Sequence, residues 1–373
     1  MRDQPRRPEE VSPQRFAPSA VILWGMALGR VPSNASVMSA TAFLFAPVVA
    51  TALLAPARGF DSDSLSGSTS RGARWVLSYS SRDSEMYYGL AFANPKHGWI
   101  VGDSGRIPHS RDAGSTWESQ TTPTANRLKC VQFVSARCGW AAGEGNTVVS
   151  TRDGGVSWTL AHPPGEPGQR TFMALQFVDE QEGWLCHNYG GLVHTRDGGQ
   201  TWGTHDELTR EALVSICFLD ARRGWVLGVG GTLLRTEDGG QTWATQHLTT
   251  QPHAVASFST LFFLDGSHGW IGTDAAISSR AGETPPLLRT TDEGRTWSVE
   301  GRWPGMSVRC VWFRDTKSGW CAELGGLYST ADGGRSWVKE LDSGGDAFVQ
   351  MAFTDESQGW ALTFTGNVHR YSK

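Results

Sequence analysis

The dipeptide Gly-Trp recurs seven times in this chain, at Trp99, Trp140, Trp184, Trp225, Trp270, Trp320 and Trp360. Successive spacings are 41, 44, 41, 45, 50 and 40 residues. A period of this size marks a repeat architecture, in which each unit buries its apolar face only against its neighbours. A second motif, Asp-x-Gly-x-x-Trp, follows each of the first six: Asp112 to Trp117, Asp153 to Trp158, Asp197 to Trp202, Asp238 to Trp243, Asp292 to Trp297 and Asp332 to Trp337. The seventh unit has none after it, and the missing tryptophan stands at the other end as Trp75. If the chain closes on itself there, 14 of its 17 tryptophans form seven pairs, and only Trp24, Trp303 and Trp312 lie outside the scheme.

Each unit holds an apolar run ending in Phe (Phe92, Phe133, Phe177, Phe218, Phe263, Phe313, Phe353), a short turn, Gly-Trp with a second run, a Gly-rich turn with a third, and the Asp motif with a fourth. Four short strands fill such a unit, and radial repetition of four-stranded sheets protects their edges by closing a ring. The reading is therefore all-β: a seven-bladed β-propeller over residues 74–373, sealed by an N-terminal strand that completes the last blade. Asp112, Asp153, Asp197, Asp238, Asp292 and Asp332 are read as structural, each carboxylate accepting backbone N–H bonds in a hairpin where glycine supplies positive φ. They recur at every blade's periphery and do not converge on one site.

Upstream, the stretch from Ala40 to Ala55 is uncharged and apolar and ends in Ala55-Pro56-Ala57, the small-x-small pattern of export cleavage. With Met26 as the working start, Arg30 supplies the positive n-region; Met38 would leave it uncharged. The expectation is a leader and signal peptide over 1–57, a linker over 58–73, and an exported protein of periplasm, extracellular space or thylakoid lumen after cleavage near Ala57. A membrane anchor is the alternative, which Pro47 and Pro56 weaken. The 33 basic and 37 acidic residues give a net charge of −4, with no global attraction to nucleic acid. Cys130, Cys138, Cys186, Cys217, Cys310 and Cys321 show no CxxC spacing and read as small buried thiols. The ten histidines form no metal-ligand pattern, and His97, His109, His194 and His268 read as turn and strand surface residues. Neither a metal nor a cofactor is expected.

The run Ser150-Thr-Arg-Asp153-Gly-Gly-Val-Ser-Trp158 resembles the Asp-box, or BNR repeat, of sialidases and sortilin-type receptors. Combined with seven Gly-Trp hairpins, as in His97-Gly-Trp-Ile-Val-Gly102, the chain resembles the photosystem II stability and assembly factor family over about 300 residues. That resemblance implies a non-catalytic, exported propeller that docks a protein client, such as a membrane protein or assembly intermediate, from an arginine-bearing face. The alternative it leaves is a sialidase-like glycoside hydrolase or glycan-binding propeller. Arg106-Ile107-Pro108 precedes Asp112 as a sialidase element would, but register puts it on the third strand of its blade rather than the innermost. Glu85, Tyr87 and Tyr88 are the only candidates for a Tyr-Glu pair.

Propeller geometry puts the Gly-Trp turns and Asp hairpins on one face. The second-to-third loops and the blade-to-blade loops lie on the other, where function is carried by loops on a rigid scaffold. The blade-to-blade loops are expected to carry Arg127, Lys129, Arg170, Arg210 and Arg309, and the second-to-third loops Asp103, Glu144, Asp274 and Glu323. Planar guanidinium groups suit carboxylate recognition, so the five cations are the candidate partner site of a monomeric scaffold. The fifth blade inserts about ten residues, Thr273 to Pro286, on the same face.

Overall fold

The computed structural model describes residues 51–52, 74–81, 84–161, 163–165, 168–206, 208–248, 257–274, 287–301 and 307–372. Seven antiparallel sheets account for nearly all of them. The first six blades each take four consecutive strands, innermost first, over 87–120, 128–161, 172–205, 213–247, 257–300 and 310–342. The seventh takes Phe348–Asp355, Gln358–Thr363 and Val368–Ser372, and its outermost strand is Arg74–Tyr79 from the other end of the chain. Trp75 pairs with Tyr371, and Ser78 Oγ donates to Val368 O at 3.0 Å across 290 residues of sequence. Thr51–Ala52 runs parallel to Ala352 and Phe353 on the innermost edge of this sheet. The expected leader and linker otherwise lie outside the described residues, as does 275–286 of the fifth-blade insertion; Thr273 and Asp274 end the strand Gly269–Asp274.

The repeat motifs have one physical explanation. In every blade the Phe that closes the first apolar run lies opposite the glycine of Gly-Trp in the ladder, as in Phe133 with Gly139 and Phe177 with Gly183. The Phe ring lies over that glycine, so a Cβ there would meet ring atoms at 2.3 to 2.7 Å in all seven blades. Glycine is required here for space, not for its backbone freedom. The adjacent Trp projects to the next blade and stacks on its Phe: Trp360 on Phe92 at 3.7 Å, Trp99 on Phe133 at 3.5 Å, Trp140 on Phe177 at 3.6 Å, Trp225 on Phe263 at 3.9 Å and Trp270 on Phe313 at 3.7 Å. The hairpin tryptophan meets the same Phe edge-on from its own blade, as Trp158 meets Phe133 at 5.9 Å and Trp202 meets Phe177 at 6.2 Å. Offset stacking on one side and edge contact on the other are the favoured aromatic geometries. These interfaces are thus Trp–Phe–Trp sandwiches, and two tryptophans per blade follow from them.

Two interfaces differ. Between blades three and four Trp184 lies 5.3 Å from Phe218 and stacks instead on His194 at 3.6 Å. Between blades six and seven Trp312 stacks on Phe353 at 3.9 Å, and Trp320 is tilted away at 5.1 Å. Trp312 has no place in the repeat; it lies on the innermost strand directly opposite Trp320. Blades two to four are further joined by amide clamps: Gln132 donates to Phe177 O and accepts from Phe177 N, and Gln176 does the same with Phe218. The six cysteines are free and buried.

Six hairpins are built around the motif aspartates. Asp153 Oδ1 accepts from Thr151 Oγ1 at 2.8 Å and from Ser157 N at 2.9 Å, and its Oδ2 accepts from Ser157 Oγ at 2.6 Å. Thr151 Oγ1 in turn accepts from Gly155 N at 2.8 Å. The hydroxyl two residues before Asp recurs at Ser110, Thr195, Thr236, Thr290 and Thr330. The position one residue earlier, held by Ser150, His109 and His194, is not the brace. Nor are those two histidines surface residues: His109 and His194 are buried, and each stacks on its blade's Trp, at 4.4 Å on Trp99 and 3.6 Å on Trp184.

Hydrogen bonds from Ser157, Thr201 and Thr242 hold the carboxyls of Asp153, Asp197 and Asp238 down at about 2. For Asp238 the Thr242 hydroxyl is the largest contributor, ahead of the Thr242 backbone N–H. A folded-state pKa below the ordinary carboxylate range means that the hairpins contribute fully above about pH 4 and lose that contribution as pH falls toward about 2. The expected result is a melting temperature that is flat from neutrality to about pH 5 and falls steeply below about pH 4. Scanning calorimetry across that range checks it, with Asp153→Asn/Asp197→Asn giving a lower plateau and a shallower fall. An unchanged acid limb in that variant would assign the acid sensitivity elsewhere.

Candidate docking face

The loops that leave the second strands and those that enter the first strands meet on the face opposite the Asp hairpins. Backbone bonds tie each such pair: Asp103 N donates to Met86 O at 2.9 Å, Glu144 N to Arg127 O at 2.9 Å and Asn146 N to Arg170 O at 2.7 Å. Acids from one set of loops are thereby brought against cations from the other.

The densest group spans blades one and two. Arg127 Nε lies 2.5 Å from Asp103 Oδ1, and its Nη1 lies 3.0 Å from Glu144 Oε1. The guanidinium sits 5.3 Å from the Tyr88 ring centre, and the Tyr88 hydroxyl donates to the same Asp103 oxygen at 3.1 Å. Lys129 Nζ approaches Glu144 at 4.0 Å and the Tyr88 ring at 5.8 Å. Burial opposes the Arg127 charge, but the Asp103 hydrogen bond and the neighbouring negative charges together outweigh it and raise the guanidinium pKa further. Burial lowers the Lys129 pKa, and burial with the Asp103 charge raises that of the Tyr88 phenol. Arg127 thus bridges the two acids, with Lys129 beside Glu144 and the Tyr88 phenol donating to Asp103.

The other expected cations are paired in the same way, with one exception. Arg170 bonds Asp206 Oδ1 at 2.9 Å and Pro164 O at 2.9 Å. Arg309 lies 3.9 Å from Asp274. Arg210 is exposed, and among the described residues no ion pair engages it. Lys129 stands inside the innermost strand Leu128–Phe133 rather than in the loop before it, and Asp274 and Glu323 end second strands rather than beginning loops. Four of the five cations therefore occur in three separate, largely neutralised groups around the ring and not as one unpaired patch. Met86, Tyr189 and Leu324 are exposed in loops of the same blades; sequence reasoning passes over these three because none falls in a repeat position.

The residues considered for a hydrolase do not converge. Tyr87 is buried against Gly102 and Gly366, Tyr88 is committed to Asp103, and Glu85 lies 3.8 Å from Arg106. Arg106 precedes the third strand, Ile107–Ser110, in agreement with its register. Among the described residues no group of three or more His, Cys, Asp or Glu is arranged to hold a metal ion.

A closed seven-bladed ring with hydroxyl-braced Asp hairpins on one face and bridged charges with exposed apolar tips on the other defines the class: a β-propeller scaffold of the BNR type. A family model described as photosynthesis system II assembly factor YCF48 matches residues 73–167, 116–209 and 202–368. The chain belongs to that family, which is one of assembly factors. No curated protein matches the chain. Among solved structures it is similar to YCF48 bound to D1 peptide, at 20% identity and a TM-score of 0.65, over 80% of this chain and 95% of that one. It is also similar to YCF48 from Cyanidioschyzon merolae, at 18% identity and a TM-score of 0.64, over 80% of this chain and 99% of that one. At these identities the two structures speak for the fold.

Proposed function

We propose that this protein is a non-catalytic docking scaffold that holds an extended segment of a membrane-protein client during assembly. The site is the face bearing Arg127, Lys129, Arg170, Arg210 and Arg309. The observation that carries the reading is the bridged Asp103–Arg127–Glu144 group beside Tyr88, on a chain whose family is that of an assembly factor. A solved YCF48 was captured with a D1 peptide, which makes a peptide of that kind the natural probe. Because Arg127 is already paired, a client carboxylate gains from it only by displacing Asp103 or Glu144, and a client cation gains from the two acids left exposed. Such exchange favours register over raw affinity.

The test is fluorescence anisotropy with overlapping peptides covering D1, using the native protein and Arg127→Glu/Arg170→Glu. At least one peptide is expected to bind saturably and to lose about tenfold or more in affinity in the variant. Equal affinity in a variant that melts like the native protein would remove the face from the site, and no binding by any peptide would remove a D1-type client. We further propose that residues 1–57 direct export and are cleaved near Ala57. N-terminal sequencing of the protein recovered from its native compartment is expected to begin at or shortly after residue 58; an intact leader in the membrane fraction would favour the anchor.

A further inference from the structure

The outermost strand of each blade has one edge that no strand of its own sheet pairs. A row of free backbone N–H and C=O groups is a template for another strand, and natural sheets blunt such edges by keeping them short, by charging them or by bulging them. Six of the seven blades follow that rule. The outermost strands of blades one, two, three and five, Glu118–Gln120, Thr159–Ala161, Gly203–His205 and Ser298–Glu300, have three residues each, and that of blade four, Ala244–His247, has four. Blade six has five, Val338–Asp342, and sets Lys339, Glu340 and Asp342 among them.

Blade seven departs from the rule. Its outermost strand, Arg74–Tyr79, has six residues, and among the described residues no strand lies beyond it. From Trp75 to Ser81 the sequence holds no charged residue and no proline. Pairing with the inner neighbour Val368–Ser372 is regular from Arg74 to Leu77, and the bulge comes only at Ser78, whose hydroxyl is turned inward to Val368 O.

The exposed side chains on this edge are aliphatic. Val76 is 50% exposed and Leu77 55%. The matching pairs after the hairpin tryptophan of the other blades are Glu118-Ser119, Thr159-Leu160, Gly203-Thr204, Ala244-Thr245, Ser298-Val299 and Val338-Lys339. None of them has two large aliphatic residues. Val338, itself 67% exposed, lies on the outermost strand of blade six, which packs beside this one and extends the apolar surface.

An edge of this kind takes another extended strand, and a second copy of the chain supplies one. In an antiparallel pair about a two-fold axis normal to the sheet, one residue faces its own counterpart and its neighbours pair reciprocally. Centred on Val76, the regular stretch Trp75–Leu77 sets Val76 against Val76 of the second copy and Leu77 across from Trp75. A two-fold axis brings like charges together wherever a charged residue lies on it, and this stretch has none. Each ring has one such edge, so the pairing closes at two copies and leaves no end open to further growth.

We infer that two copies of this protein pair through the blade-seven edge, strand Trp75–Leu77 against strand Trp75–Leu77, covering Val76, Leu77 and Val338 of each. The inference rests on the rim strands alone and does not depend on the docking face.

The test is sedimentation velocity of the native protein over a concentration series. The weight-average mass is expected to rise from that of one chain toward that of two, with a midpoint in the micromolar range that a small interface supports. Val76→Lys sets two ammonium groups opposite each other on the axis and is expected to weaken dimerisation about tenfold or more while melting like the native protein. Val156→Lys, at a 75% exposed position on the blade-two hairpin, is expected to leave dimerisation unchanged. Mild oxidation of Val76→Cys or Leu77→Cys is expected to trap a disulfide-linked dimer, because cross-strand Cβ atoms approach to about 4.5–5.5 Å; the six native cysteines are buried and do not compete. A native protein that stays monomeric, dimerisation untouched by Val76→Lys, or no trapped dimer from either cysteine variant would overturn the pairing. Dimerisation only after deletion of residues 58–70 would also overturn it, by showing that the chain's own upstream segment covers the edge.

Discussion

Deleting residues 58–79 is expected to lower the melting temperature by about 10 °C or more, whereas deleting 58–70 should leave it within about 2 °C. The two deletions differ chiefly in the strand Arg74–Tyr79. Its loss removes the outer partner of Val368–Ser372 and takes away Trp75, which is 7% exposed and packs edge-on against Phe353 at 5.9 Å. Truncation of a buried tryptophan alone costs about 3–5 kcal/mol, and here the paired strand goes with it. Scanning calorimetry of both proteins checks the difference. Equal melting would mean that the ring is not closed through this strand.

Phe177→Ala should be nearly as damaging, at about 3–5 kcal/mol, because one ring serves two blades. It lies between Trp140 at 3.6 Å and Trp202 at 6.2 Å, so its loss opens the interface and leaves both indoles without their partner. Gly183→Ala tests the same place from the opposite direction. A methyl there would meet the Phe177 ring at 2.3 Å, and overpacking of this kind costs about 1–3 kcal/mol. Denaturant titration of Phe177→Ala, Gly183→Ala and the double variant is the measurement. Once the ring is gone the glycine should tolerate a methyl, so the double variant is expected to be no less stable than Phe177→Ala alone. Additive losses would show that the glycine is required for some other reason.

The fold was legible because its determinants repeat. Gly, Trp and Phe recur at fixed offsets since five of the seven interfaces are the same sandwich, and a steric requirement met by the glycine in all seven blades leaves a pattern that one occurrence would not. Even the closure could be read from the absence of a seventh Asp motif. What the pattern concealed was substitution at matched positions. Trp312 replaces Trp320 on Phe353 from the strand opposite, a swap that spacing cannot express. His109 and His194 share a register position with less buried residues such as Ser150 and Arg235, yet each is covered by its own blade's tryptophan.

The docking face was less legible for a related reason. The cations can be found individually, but their partners come from loops brought together only by the ladder: Asp103 stands 24 residues before Arg127, and Asp206 stands 36 after Arg170. Charge counted along the chain suggests a patch; charge paired in space gives bridges.

The seal of the seventh blade also sets a clock on biosynthesis. Arg74–Tyr79 is among the first parts of the propeller to be made, and its partner Val368–Ser372 is the last. Until nearly 300 residues have followed it, as the 290-residue separation of Ser78 and Val368 records, that strand has no sheet to join. Six blades can stack as an open arc in the meantime, each completed by local hairpins, with unpaired edges at both ends. The nascent chain therefore keeps two unpaired edges until the last strand of the ring is made, and any factor that shields it then would act on the ends of the arc.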